Sequence, residues 1–363
     1  MEITEHAGGT SRPSALVANG ERRSDSASAV AAWLLACCAM LFAMIVVGGV
    51  TRLTHSGLSI TEWQPIVGTL PPLSAQDWND AFAKYQATPE YREVNRGMDL
   101  QAFKGIFWWE YAHRLLGRAI GVVFIVPLLW FIARRKIPPG YGPALATLFV
   151  LGGAQGALGW YMVQSGLVDD PRVSQLRLTA HLGLAIAIFG AMWWIALSLL
   201  RPSARTGAIR SPLLPFALAI VALVFVMVLS GGLVAGIRAG FAYNTFPRMN
   251  GAWVPPEIMM IEPWYRNFYE NMATVQFDHR LMALLLALSV AAYWWRARRA
   301  PSPARGAAWI LGVMLVVQVA LGISTLLLVV PVGLAALHQA GAVLVFAAAI
   351  NAAHAARSTG PRV

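Results

Sequence analysis

The chain has 363 residues, a net charge of +11 and a mean hydropathy of +0.57, with 57% hydrophobic but only 12% charged residues. A soluble domain carries about 25% charged residues, so this composition excludes an ordinary soluble globule. The positive charge is of the size that nucleic-acid binders carry, but it sits in short loops between apolar runs, which excludes that reading.

Residues 1–29 are polar and read as a disordered cytoplasmic tail. Eight apolar stretches follow, near 30–49, 106–132, 142–163, 177–200, 212–235, 272–295, 307–330 and 333–356. Each has the ~20 residues needed to cross the hydrocarbon core. The expected fold is therefore an all-α integral membrane protein of about eight transmembrane helices. No small-residue cleavage site follows the first stretch, so it reads as a retained span and not as a signal peptide. Cys37 and Cys38 are adjacent in it and read as small packed residues.

Alternate loops are basic and free of acids: Arg134, Arg135 and Lys136, then Arg201, Arg205 and Arg210, then Arg296, Arg298, Arg299 and Arg305. Arg12, Arg22 and Arg23 precede the first span, and Arg357 and Arg362 follow the last. The positive-inside rule then puts both termini in the cytoplasm and loops 50–105, 165–176 and 236–271 outside.

The chain reads as a duplicated four-span unit. Gly48-Gly49 and Gly231-Gly232, Gly57 and Gly240, Gly68 and Gly251, and Pro72 and Pro255 are each 183 residues apart. Gln155-Gly156-Ala157-Leu158-Gly159 resembles Gln318-Val319-Ala320-Leu321-Gly322, His113-Arg114 matches His279-Arg280, and His181 matches His338. An even number of spans per unit makes the repeat parallel, giving two pseudo-symmetric four-helix bundles. The halves are 30–200 and 212–356, joined by a basic cytoplasmic linker at 201–211, with a short tail at 357–363. The outer loops are unequal and aromatic; Trp63, Trp78, Tyr85 and Tyr91 in the first and Trp253, Trp264, Tyr265 and Tyr269 in the second suit the membrane interface or a lid.

His113, His181, His279 and His338 each fall within about two turns of the start of an even-numbered span. All four then lie at similar depth near the outer face. Titratable groups inside a membrane are costly and mark function. Two facing imidazole pairs suit the axial ligation of haem iron. No C-x-x-C-H attachment motif occurs, so a haem would be noncovalent. Ordinary packed histidines and zinc are the other readings. His6 and His354 read as incidental; His55, just outside the first span and close to Arg52, reads as a solvated loop histidine, with contact to a polar edge of a ligand as the alternative.

Among the acids, only Glu110 and Asp278 fall in or at the edge of the expected spans. Glu110 is three residues before His113 and shares its helix face. The matching position in the second half is Gln276. A carboxylate beside one histidine pair can accept a proton or hold a water, so the first half reads as the chemical one. The other reading for Glu110 is a pair with Arg114 or Arg118. Arg114, Arg280 and Arg52 are candidate contacts for haem propionates, with interfacial snorkelling as the alternative for the first two.

The stretches GGVTRLTHSGLSITEWQPIVGTLPPL (48–73), TPEYREVNRGMDLQAFKGIFWWEYAHRLLGR (88–118), LTAHLGL (178–184), NTFPRMNGAWVPP (244–256), QFDHRLMA (276–283) and His338-Gln339 resemble the haem A synthase family, in its proteobacterial and mitochondrial branch. The resemblance runs from about residue 30 to near the end. It implies oxidation of the C8 methyl of haem O to a formyl group, through a hydroxymethyl and a gem-diol. It implies His113 and His181 around the substrate haem, His279 and His338 on a haem b cofactor, and Glu110 as the functional carboxylate. It implies a bacterial inner-membrane location, haem O as substrate, and haem O synthase and terminal-oxidase assembly factors as partners. The electron donor or acceptor, the oxygen source and homo-oligomer formation stay open. Some members carry an outer-loop cysteine pair; here every outer loop lacks cysteine. A di-haem cytochrome b and a haem transporter are the competing functions.

Overall fold

In the computed structural model, residues 13–64, 67–167, 173–201 and 211–357 are described. They form α1 (Pro13–Leu53), α2 (Ala75–Gln86), α3 (Pro89–Glu93), α4 (Leu100–Ala133), α5 (Gly142–Gly166), α6 (Gln175–Leu200), α7 (Leu213–Gly236), α8 (Asn267–Glu270), α9 (Met272–Ala297), α10 (Ser302–Leu327) and α11 (Val332–Ala356). Eight of these helices are long and apolar enough to cross a membrane. The protein is thus an all-helical, multi-pass membrane protein. Its only extended pairing among the described residues is an isolated bridge between Met249 and Ala252.

The span boundaries follow the apolar runs closely, with three differences at helix starts, one of them α10, which begins at Ser302 and not near 307. Helix α1 begins at Pro13, inside the stretch read as a tail. Helix α4 begins at Leu100 and not near 106, because the Asp99 side chain accepts from the Ala102 N–H at 2.7 Å and caps it. Most of the linker 201–211, with Arg205 and Arg210, and also Arg12 and Arg362, lies outside the described residues.

Helices α1, α6, α7 and α11 form the centre; α4 packs on α1, α5 on α6, α9 on α7 and α10 on α11. The first half is α1, α4, α5 and α6, and the second repeats that plan as α7, α9, α10 and α11. Between halves, α1 meets α11 and α7 meets α6. Small residues set these approaches. Gly190 of α6 faces Phe346 and Ile350 of α11, and the inner face of α11 carries Ala347, Ala348, Ala349, Ala352 and Ala353, all buried. The outer helices present Phe149, Val150, Trp309 and Val316 outward, as apolar residues facing lipid do.

Residues 183 apart touch one another where the halves meet. Arg52 donates to the carbonyl oxygens of Ala235, at 3.4 Å, and Gly236, at 3.1 Å. Arg238 donates to His55 Nδ1 at 3.0 Å. Both His55 and Arg238 have left-handed backbone, with φ of 55° and 57°. Contacts between equivalent positions are what a local two-fold axis produces.

The 50–105 segment is a folded lobe. Ser74 and Asp77 form a capping box on α2, and Thr88 caps α3. Trp78 and Tyr85 pack on Phe103 and Phe107 of α4, in a small aromatic core. These two rings are therefore lobe core and not an interfacial belt, whereas Trp63, Trp253 and Trp264 are exposed.

A Cβ at Gly236 would sit 2.8 Å from Gln175 Cα, against backbone that cannot turn aside. Gly236→Ala should cost about 1–3 kcal/mol by overpacking. Gly153→Ala, which meets nothing within 4 Å, should be close to neutral. Thermal unfolding of the detergent-solubilised protein compares the two.

Candidate haem-binding sites

The helical repeat puts the four histidines on facing helices. His181, His279 and His338 lie in the second turns of α6, α9 and α11, while the early start of α4 leaves His113 in its fourth turn. The extra turns of α4 belong to the lobe. Depth is matched by contact instead. His113 rests against Gly48 of α1 and His279 against Gly231 of α7, the repeated positions. His181 rests against Gly159 of α5, and His338 against Gly322 of α10. A Cβ at Gly322 would lie 2.7 Å from the His338 ring, and one at Gly159 would lie 2.9 Å from that of His181. The glycines are therefore the space the imidazoles need.

The structure groups the histidines as two pairs. His113 and His181 are within electrostatic reach of each other in the first half, as are His279 and His338 in the second. Gln155 donates from Nε2 to the His181 carbonyl at 3.1 Å and lies 3.4 Å from its ring Nε2. Gln318 makes the matching contacts, 2.8 Å to the His338 carbonyl and 3.1 Å to Nδ1. Ser230 Oγ lies 3.0 Å from His279 Nδ1. No group of three or more His, Cys, Asp or Glu occurs among the described residues. Structural and catalytic zinc sites use at least three protein ligands, so the donor set does not suit zinc. Two nitrogen donors per half fit the axial positions of a haem iron.

Glu110 is 2% exposed and saturated with donors. It accepts from Ser59 Oγ and the Ile60 N–H, each at 2.7 Å, and from Arg114 Nε at 3.0 Å and Nη2 at 2.6 Å. Four donors match the roughly four acceptor sites of an ionised carboxylate. In the second half Gln276 accepts from Arg280 Nη2 at 3.0 Å and donates to the Ala239 carbonyl at 2.7 Å. Arg114 also donates to the Ile60 carbonyl, and Arg280 to that of Tyr243, the equivalent position. Both arginines thus tie a loop to their helix. Arg52 is engaged with the end of α7.

Two features were not legible in the sequence. Ser230 is one polar residue in an apolar run, and its meeting with His279 depends on α7 packing against α9. Glu90 lies in the lobe, 5% exposed, near Arg52 and Arg238. Burial pushes its carboxyl up to about 7, against the pull of the two arginines. Burial also lowers His55, with Arg238 and Arg52 adding to the effect. His354, read as incidental, is buried 3.3 Å from Ser198 and edge-on to Trp194.

A family model described as "Cytochrome oxidase assembly protein" matches residues 31–350. The chain is 60% identical to a "Heme A synthase" of Nitrosospira multiformis, over 90% of this chain and 93% of the relative. It is 50% identical to one of Parvibaculum lavamentivorans, covering 90% and 94%, and 47% identical to one of Paracoccus denitrificans, covering 91% and 88%.

The two half-sites make different demands on stability. Glu110→Ala leaves Arg114 buried without its partner and should cost about 3–5 kcal/mol. Glu110→Gln copies the Gln276–Arg280 pair and should cost less than half of that. Thermal unfolding in detergent, with both variants in parallel, tests the difference.

Proposed function

The chain belongs to the haem A synthase family of cytochrome oxidase assembly proteins, and on that premise we propose that it converts haem O to haem A by oxidising the C8 methyl. The inequality of the two histidine pairs carries this reading: Glu110 stands one turn before His113, where Gln276 stands one turn before His279. The first pair, His113 and His181, holds the substrate haem O. The second, His279 and His338, holds haem b, which supplies one-electron transfer when bound.

Each of two oxidations replaces a C–H bond of the methyl by a C–OH bond; balanced with water as the oxygen donor, each releases two protons and passes two electrons to an acceptor, giving hydroxymethyl and then gem-diol, which loses water to leave the aldehyde. The protein's part is to place that methyl and to fix charge around it. Glu110, one helical turn before His113, holds Arg114 and the Ser59–Ile60 loop in place on that side of the site. To take a proton or a water, it exchanges one of its four present donors. The family pattern and the basic loops support a bacterial inner membrane with both termini in the cytoplasm and the lobe outside. They support delivery of the product to terminal-oxidase assembly.

Two measurements test the reading. Membranes from a host lacking haem A, expressing this chain with a haem O synthase, should yield haem A or its hydroxymethyl precursor on extraction and mass analysis. Unmodified haem O with rapid quinol-dependent reduction of two haems would favour the cytochrome b alternative. The pairs should also separate: His279→Ala or His338→Ala loses the purified b-type spectrum, whereas His113→Ala or His181→Ala loses conversion and largely keeps it. Equal loss from all four variants would overturn the division.

A further inference from the structure

The second histidine site differs from the first in a way the carboxylate does not account for. Ser230 Oγ lies 3.0 Å from His279 Nδ1, and Ser230 itself is 7% exposed. The position 183 residues earlier is Val47, which has no polar side-chain atom to offer His113. Likewise Asp278, directly before His279, is matched by Ala112 before His113. Ser230 and Asp278 line one cavity of about 190 Å³ between α7 and α9, with Val226, Leu229, Val275 and Met282. His279 thus has a hydroxyl partner on α7, whereas the equivalent position offers His113 none. This reverses the pattern of Glu110 and Gln276.

A neutral imidazole binds iron through the nitrogen that lacks the proton, and the hydrogen bond at its other nitrogen decides which one that is. A hydroxyl can accept the Nδ1 proton and leave the Nε2 lone pair free. Among the described residues, none hydrogen-bonds His279 Nε2. Such a partner also fixes the ring's orientation and raises its basicity as a ligand. We propose that Ser230 positions His279 as a strong axial ligand and makes the second half the site that retains its haem. Val47, at the equivalent sequence position, supplies no such partner, so His113 is the weaker ligand and the first half is the site that exchanges haem. A synthase needs this division, because its product haem must leave while its cofactor stays. The inference rests on the assignment of haem b to the second half.

The test uses the purified full-length holoprotein. Haem b per polypeptide, its rate of transfer to apomyoglobin and its midpoint potential are measured for Ser230→Val, Ser230→Ala and Ser230→Thr. Loss of such an outer partner typically weakens binding 10–100-fold. Ser230→Val and Ser230→Ala should lose haem b about 10-fold faster or more. Their potential should rise, because a weaker donor stabilises ferric iron less. Ser230→Thr, which keeps the hydroxyl, should restore both properties. Val47→Ser should slow transfer of haem O from the first site. Loss rates and potentials equal to the parent's in the valine and alanine variants would overturn the role of Ser230. An unchanged haem O transfer rate in Val47→Ser would overturn the role of Val47. His279→Ala is run beside them. Should that variant keep its haem b, the assignment of haem b to this half fails; should it lose haem b while Ser230→Val does not, only the serine's role fails.

Discussion

A polar group inside hydrocarbon has no water to turn to, so another helix must bring its partner. That constraint organises this bundle. Ser230 of α7 meets His279 of α9, Gln155 of α5 meets His181 of α6, and Gln318 of α10 meets His338 of α11. Each contact fixes which two helices are neighbours and at what height. The apolar faces cannot do this alone, since lipid tails satisfy leucine as well as another helix does. Glycines at the facing positions supply the room, and the side chains supply the register.

Duplication then lets one scaffold serve two purposes. The geometry of the pairs is held in common: a histidine against a glycine, a glutamine clamp, and an arginine reaching back to a loop carbonyl. The divergence lies in a few atoms around that geometry. One half carries a carboxylate four residues before its arginine, and the other an amide. One half gives its α9 histidine a serine partner from α7, where the equivalent position in the other half is valine.

The spans, the repeat and the four histidines were legible because each leaves a mark in local sequence: length, offset, or a titratable residue in an apolar run. The partner of Glu110 was legible as one of two arginines one helical turn or two away, and the structure selects Arg114. Its other donors were not, because Ser59 and the Ile60 N–H come from a loop whose path depends on tertiary packing. The start of α4 was missed for a related reason. Hydropathy marks where a helix enters lipid, whereas Asp99 marks where the helix begins, and the aromatic lobe lies between. Tyr85 and Trp78 look like interfacial residues in sequence, yet they are buried on Phe103 and Phe107.

The contact between Arg238 and His55 bears on how such a bundle can arise. In a symmetric pair of identical four-span chains, a residue on the axis meets its own copy. An arginine there would face an arginine, at a cost in repulsion that no rotamer removes. Joining the two copies into one polypeptide lifts that restriction, since the two sides of the axis are then encoded separately. His55 and Arg238 share a backbone conformation and a location but not a side chain. Fusion thus frees the symmetry axis itself to become chemically asymmetric, and it fixes at a 1:1 ratio two half-sites that separate chains could pair in any combination.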